Sequence, residues 1–540
     1  MKNKLIIFNP KSGNAKHRIP NSILQVGASI HNKYDYVFVD GNLEKDPLTV
    51  ILNYLKTGEY KYFCSTVMPG PQLRQAIPFA KTIKENYPKV TVIWGGYFAS
   101  NQYKVCMDSG LVDYIINGPG DVAFPSLIGV LEDLTAKYAK ISQGSQRLNL
   151  ENSDKESVVE TADSRFHGND NLLQPIKNLI YKNESGEIFK TAKENLLDQD
   201  SLARLPYEYL DTFYSVKNYL AKTFMGKTTL SYHSSMGCPF SCSFCGIVPI
   251  FNARWKGMSA ERMYQDIKYF KDKYNIDAIE FHDNNFFTSK KRVLEFSKLI
   301  LNDNIKYWGE GRIDTINKYT DDELRLMKKA GCEMMFLGAE TGNDEVLKQM
   351  NKGGTQTGQM IKDFALRMKN VGIIPEMSFV LGMPADTEEQ VYKQILWDIN
   401  FIKEIKEINP NAEIIIYLYS PTPTKGSDLY KQILDAGFSF PETLEEWISP
   451  SWENFDLRKN PLTPWLKPYM IDTIKNFETV LNGKYPTVSD FRIKGFKKKA
   501  LQLASNWRYK TGFYKYPYEI KVMHKFWKYR QPEIEGFYSE

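Results

Sequence analysis

At 540 residues with 42% hydrophobic side chains, the chain is long enough for about three domains with real cores. Its net charge of +6 is small beside 70 Lys and Arg and 64 Asp and Glu, so nothing calls for a nucleic-acid partner and none is expected. The opening apolar run, Leu5 to Phe8, is too short for a signal-peptide core, and no stretch approaches the ~18 apolar residues of a membrane span. A soluble, cytoplasmic protein without a transmembrane segment is expected, in a reducing compartment where its six cysteines stay free of disulfides.

Over residues 1–135, short apolar runs alternate with helical patterns. Leu5–Phe8, Tyr36–Asp40, Tyr62–Thr66, Val90–Trp94 and Tyr114–Asn117 read as strands. The stretches 19–30, 47–57, 71–87 and 102–109 read as helices. This alternation predicts a doubly wound parallel sheet, whose ligands bind outside the carboxyl ends of the strands. Those ends carry Ser65, Thr66, Met68, Pro69, Gly70 and Gln72, then Gly95 and Gly96, then Gly118, Gly120 and Asp121. Glycine lets backbone approach a bulky or anionic ligand. Alone, these turns suit a structural α/β domain, or one for another nucleotide, just as well. Residues 136–227 read as a linker that packs against both neighbours, with a mobile polar loop from Ser142 to Asn171 and a hairpin around Asn183–Gly186. His17, His31 and His167 carry no assigned chemistry.

Six further strand–helix units fill residues 228–437 and predict a partial (β/α)6 barrel with its chemistry at the strand C-termini. The first strand, 228–233, runs into Gly237-Cys238-Pro239-Phe240-Ser241-Cys242-Ser243-Phe244-Cys245-Gly246. Three thiolates this close can hold one face of a metal centre. A closed zinc site with His233 as fourth ligand is the plainer alternative, but such sites usually pair two short ligand clusters and no second one exists here. A four-iron cluster on three cysteines keeps one iron open for a non-protein ligand. Polar residues collect at the other strand ends: His282 and Asp283, Arg312 and Asp314, then Glu340.

The C-x3-C-x2-C loop resembles that of the radical S-adenosylmethionine (SAM) superfamily. The strand-end segments Gly-Arg-Ile-Asp, Phe-Leu-Gly-Ala-Glu-Thr and Leu-Gly-Met-Pro-Ala-Asp-Thr look like those of the same family. The resemblance implies that Cys238, Cys242 and Cys245 hold a [4Fe-4S] cluster whose open iron binds SAM. Asp283, Arg312 and Glu340 become its candidate contacts, since a zwitterion bearing a nucleoside needs acceptors and a cation. Set before this motif, Met-Pro-Gly-Pro-Gln, Gly-Gly and Gly-x-Gly-Asp resemble the cobalamin-binding domain of B12-dependent radical SAM enzymes, where Asp121 is more often Glu. The turn from Asp40 to Lys45 lacks the His of a D-x-H-x-x-G motif, so cobalamin is expected without a protein histidine on cobalt, with Met68–Gln72 beneath the corrin. The group resembled is methyltransferase-like and includes the anaerobic cyclase of bacteriochlorophyll synthesis. It implies methylation of an unactivated carbon of a small-molecule or lipid-like substrate through a 5′-deoxyadenosyl radical and methylcobalamin. Cyclisation or oxidation without methyl transfer, and a non-catalytic cluster and cobalamin sensor, are the alternatives. A flavodoxin or ferredoxin is the expected reductant.

Residues 438–540 read as a helical extension, basic and aromatic from Phe491 to Arg530. Either this is a solvated basic face over an aromatic core, or it covers the barrel mouth and meets an anionic or lipid-like substrate or a membrane surface.

Overall fold

Alternate residues of the first strand part to opposite sides, and this organises the N-terminal half. Leu5 and Ile7 join one buried core with Ile23, Leu24 and Leu127. Ile6 and Phe8 join another with Ile51, Leu55 and Ile77. A strand buried on both faces is the mark of a parallel sheet covered by helices on each side. The computed structural model describes residues 3–12, 18–147, 170–352, 356–422, 428–453, 461–488 and 493–527. His17, His167, most of the polar stretch 142–171 and the end of the basic tail lie outside the described residues.

Strands β1 (Lys4–Asn9), β2 (Tyr36–Asp40), β3 (Tyr60–Thr66), β4 (Thr91–Gly95) and β5 (Tyr114–Ile116) are parallel, in the order β2-β1-β3-β4-β5. The order reverses between β1 and β3, and such a switch point is where sheets of this kind bind ligands. The hairpin expected inside the linker extends this sheet. Its strands β6 (Leu179–Lys182) and β7 (Ile188–Lys190) add antiparallel to β5. Residues 136–227 therefore contribute to the first sheet's structure besides connecting the halves. Gly96 opens a short helix, Gly96–Asn101, where the sequence suggested a turn before a helix at 102–109; the latter forms as Tyr103–Asp108.

A second sheet of six parallel strands has the order β15-β14-β13-β12-β11-β8. Its members are β8 (Thr229–Tyr232), β11 (Ala278–Phe281), β12 (Lys306–Gly311), β13 (Cys332–Glu340), β14 (Ile374–Leu381) and β15 (Glu413–Leu418). Helices follow the strands in turn, giving the partial (β/α)6 barrel. Their N-termini are capped as written in the sequence: Ser259 accepts from the Arg262 N–H, and Thr320–Glu323 and Thr387–Gln390 form capping boxes. A small antiparallel pair, β9 (Ser235–Gly237) with β10 (Trp255–Gly257), brackets the cysteine loop.

The helix Glu388–Ile408 carries a buried carboxylate, Asp398. It accepts from the Thr341 hydroxyl at 2.6 Å and the Gly342 N–H at 3.3 Å, fixing the turn after β13. Burial outweighs these bonds and lifts its pKa to about 7. An acid raised in the folded state stabilises the fold only while protonated. Between pH ~4 and ~7 the unfolded chain gives up this proton first, so stability falls as pH rises, then levels off. Asp398→Asn keeps an acceptor oxygen and removes that loss. The variant is expected to melt above the parent at pH 8, with the gap closing toward pH 4, as thermal denaturation across that range would read.

At the C-terminus, Pro468–Lys484 packs on Glu388–Ile408, and Gly495–Thr511 and Tyr518–Phe526 pack on it in turn. These helices sit on the barrel's outer side, so of the two readings the cover over its mouth is set aside. The segment before them reaches a strand end at the mouth, where the Trp465 indole donates to the Gly382 carbonyl at 2.9 Å. Among the described residues, no helix is long and apolar enough to cross a membrane.

Candidate functional site

The carboxyl ends of the two sheets face one another across a cavity of about 760 Å³. The first sheet contributes Ser65, Thr66, Met68, Gln72, Gly95, Gly96, Gly118 and Gly120 to its wall; the barrel contributes His233, Ser235, His282 and Asn284. Leu202 to Leu205 close a side. Residues separated by more than two hundred positions thus share one space. Gln72 braces its loop: its Oε1 accepts from the Met68 N–H at 2.8 Å and its amide donates to the Pro10 carbonyl at 3.1 Å. Pro69 and Gly70 form the turn behind, with Gly70 at φ +84°. Asp121 is not on the wall but accepts from the amide of Gln25, which is. The turn without a histidine is held by buried Asp40, which accepts from the Tyr219 hydroxyl at 2.7 Å. Asn42 of that turn lines the cavity.

The two halves meet directly at the cysteine loop. Asn101 Nδ2 donates to the Gly246 carbonyl at 3.1 Å. A methyl group at Gly246 would lie 1.8 Å from the Tyr97 hydroxyl, so any larger residue there would push the Tyr97 ring aside. On its other side the loop is tied to the turn after helix Asp344–Gln349: the Ser243 N–H donates to the Met350 carbonyl at 3.0 Å and the Ser243 hydroxyl to the Gln349 carbonyl at 3.0 Å.

Arg312 is the hub of the cysteine side. It forks onto Asp314 at 2.9 and 2.7 Å, donates to the Lys352 carbonyl at 2.6 Å, and lies 3.9 Å from the Phe240 ring centre. Its remaining nitrogen donates to Cys242 Sγ at 3.1 Å. Burial works against this charge, but Asp314 and the cysteines hold its pKa above the ordinary value. Glu340 ends β13 in a left-handed backbone, φ +64°, where the register against β14 shifts between Gly338 and Glu340. Such strain costs about 1–3 kcal/mol and is retained only where the surroundings hold it. Here Lys352 Nζ binds Glu340 Oε1 at 2.6 Å, both side chains buried. A Cβ at Gly338 would strike that carboxylate at 2.3 Å. Asp283 departs from its expected role as an open acceptor. It is fully buried and takes bonds from the Ser234 N–H and hydroxyl and from the Ser235 hydroxyl, so it fastens the entry to the cysteine loop.

Among the described residues, no three His, Cys, Asp or Glu side chains gather about one metal ion. His233 lies on the cavity wall with its ring open to the cavity space. A four-iron cluster makes a different demand, since each thiolate takes its own iron. The thiols of Cys238, Cys242 and Cys245 lie within electrostatic reach of one another. Burial raises Cys238, and raises Cys245 to about 11, protons that a metal's charge would displace. Asn285 is 1% exposed, and neither atom of its amide has a hydrogen-bond partner among the described residues. It lies beside Cys238. An orphaned amide beside one thiol and a cation on the next fit a bound anionic cluster.

Deeper in the barrel, His282 stands between Glu280 (3.2 Å) and Glu310 (3.5 Å), and the Trp308 indole donates to Glu376 at 2.8 Å. Sequence reasoning placed Asn285 in the polar run at a strand end and Tyr97 beside Gly95 and Gly96, without giving either a role, and passed over Lys352 and Asn101. Nothing local marks these last two.

Comparison with known proteins agrees with this geometry. Residues 232–396 match the family model of the Radical SAM superfamily. The chain is 24% identical over 398 residues to an uncharacterized methyltransferase of Pyrococcus horikoshii, covering 72% of this chain and 76% of the relative. It is 23% identical over 354 residues to the anaerobic magnesium-protoporphyrin IX monomethyl ester cyclase of a Synechocystis species, covering 64% of this chain and 59% of that one. Its fold is similar to that of the radical SAM methyltransferase TsrM from Kitasatospora setae, solved with cobalamin and a [4Fe-4S] cluster. That similarity has a TM-score of 0.60 at 13% identity, covering 98% of this chain and 99% of the other. Residues 232–396 are a radical SAM domain, and the chain that carries it is a radical SAM enzyme whose fold is similar to that of a methyltransferase solved with cobalamin bound.

Proposed function

We propose that this chain holds a [4Fe-4S] cluster on Cys238, Cys242 and Cys245, SAM beside it, and cobalamin in the cavity, and methylates an unactivated carbon of a small-molecule or lipid-like substrate. When bound, the cluster would supply the electron that cleaves SAM, and cobalamin would carry the methyl group. The observation that carries this reading is the shared cavity: strand ends of the first sheet and of the barrel line it together, with the cysteine loop touching both halves. At about 760 Å³ it lies in the upper part of the ~300–1,000 Å³ range of small-molecule and cofactor sites.

In this reading the first-sheet loops, from Ser65 to Gln72 and at Gly95, Gly96, Gly118 and Gly120, cradle the cobalamin, and Asp121 acts through Gln25. Arg312 and Asn285 stabilise thiolates. Glu340, held by Lys352, offers its remaining oxygen to the SAM ammonium or ribose. His233, His282 and Asn284 face the substrate. The protein's work is to orient and to exclude water, since hydrogen abstraction depends on positioning more than on titratable groups. An electron donor of the flavodoxin or ferredoxin type completes the system.

A second reading, cyclisation or oxidation without methyl transfer, is supported by the similarity to the cyclase over 64% of this chain. The test is anaerobic incubation of the reconstituted, cobalamin-loaded protein with methyl-deuterated SAM, a strong reductant and a host-cell extract, followed by mass spectrometry. 5′-Deoxyadenosine, S-adenosylhomocysteine and a labelled metabolite together are expected. 5′-Deoxyadenosine without S-adenosylhomocysteine selects the second reading, and neither product with an intact cluster defeats both.

A further inference from the structure

The last two described helices carry large apolar residues on the side turned away from the protein. In Gly495–Thr511, Leu501, Ser505 and Arg508 are buried while Phe496 is 81%, Leu503 78% and Trp507 48% exposed. Spacings of seven and four put these three on one face, and Lys499 and Lys510 fall on the same face. In Tyr518–Phe526, Ile520 is buried while Tyr518, Val522 and Phe526 are exposed by 64%, 65% and 82%, at i, i+4 and i+8. Lys521 and Lys525 flank them. The loop between the helices joins the stripes, for Trp507 stacks on Phe513 and Tyr516 on Tyr518 at centroid distances of 6.0 and 5.9 Å. Single exposed apolar residues need no explanation, whereas a contiguous set of this size marks an interaction surface.

We propose that this face docks on an anionic lipid surface. Between residues 493 and 527 there are nine Lys and Arg and one acid, Glu519. That acid is taken by Arg508, 3.0 Å away. Apolar stripes bordered by lysines, with aromatic residues among them, suit helices lying in the headgroup boundary, where lysine stems follow the apolar face and their charges reach phosphate. A second copy of this chain suits the face poorly, because a two-fold contact would set the same cations against each other. The inference goes beyond the proposed reaction and does not depend on it.

The test is co-sedimentation of the full chain with phosphatidylcholine vesicles, with and without phosphatidylglycerol, at low and high salt. Binding about tenfold or more tighter to the anionic vesicles, and weakened by salt, is expected from several lysines acting together. Phe496→Ser with Leu503→Ser, and separately Lys499→Glu with Lys510→Glu, should each remove most of that binding. Both pairs should leave circular dichroism and melting temperature unchanged, since these side chains are exposed. No binding to anionic vesicles would overturn the proposal. So would a concentration-dependent dimer that Phe496→Ser with Leu503→Ser dissolves, which would make a second copy the occupant. Vesicle binding that appears only after residues 528–540 are removed would make the chain's own end the occupant and overturn it likewise.

Discussion

Cys242→Ser, reconstituted with iron and sulfide beside the parent, should retain less than about a tenth of the parent's iron, because metal sites of this kind depend on each ligand for their affinity. The same result is expected for Cys238→Ser and Cys245→Ser. Iron and sulfide analysis with visible absorption reads the outcome, and circular dichroism checks the fold. Retention of parent iron in any of the three would remove that cysteine from the ligand set. Arg312→Met gives the complementary result. It keeps all three cysteines but deletes a cation and an N–H donor that sit 3.1 Å from Cys242 Sγ. The variant should still take up iron, and its cluster should be harder to reduce, with the potential moved downward. Hydrogen bonds to sulfur and nearby charge set such potentials. An unchanged potential would reduce Arg312 to a structural brace for Asp314 and the Lys352 carbonyl.

The second large effect concerns the cavity. Gly95 lies on its wall in ordinary extended backbone, and a Cβ there would come no closer than 3.8 Å to its neighbours at Ile116. Gly95→Phe therefore fills cavity space without forcing the backbone. Cobalamin carried through gel filtration should fall at least about tenfold in this variant, a loss of the size expected when a ligand's space is taken by a side chain. The melting temperature of the ligand-free protein should stay close to the parent's. Undiminished cobalamin binding in a folded Gly95→Phe protein would place the cofactor elsewhere.

Much of the fold was legible because it depends on local pattern. Tyr36–Asp40 is a strand in both sequence and structure, since a strand buried on both faces leaves an unbroken apolar run. Ala260–Tyr274 begins where Ser259 predicts, because a cap is satisfied by residues a few positions away. The cysteine loop was legible for the same reason: its spacing is itself local. The strands β9 and β10, each three residues long, leave too short a pattern to read, and only their pairing makes them strands. The hairpin at 179–190 was visible, but its place at the edge of the first sheet was not, since nothing in its own residues names β5 as partner.

The site divides in the same way. Residue types and spacing by themselves determined three candidate metal ligands, a glycine-rich set of strand ends, and the doubly wound and barrel architectures that would carry them. Tertiary structure alone decided which residues of those strand ends and of the barrel mouth line one cavity, that Asp283 turns inward to Ser234 and Ser235, and that Lys352 neutralises a strained Glu340. It also set Arg312 and Asn285 against the thiols and put the C-terminal helices beside the barrel instead of over it. The physical reason is range. Backbone hydrogen bonding and hydrophobic periodicity act over a few residues and leave a trace in sequence. The burial of a charge or an amide depends on side chains brought together by chain closure, and no neighbouring residue records which they will be.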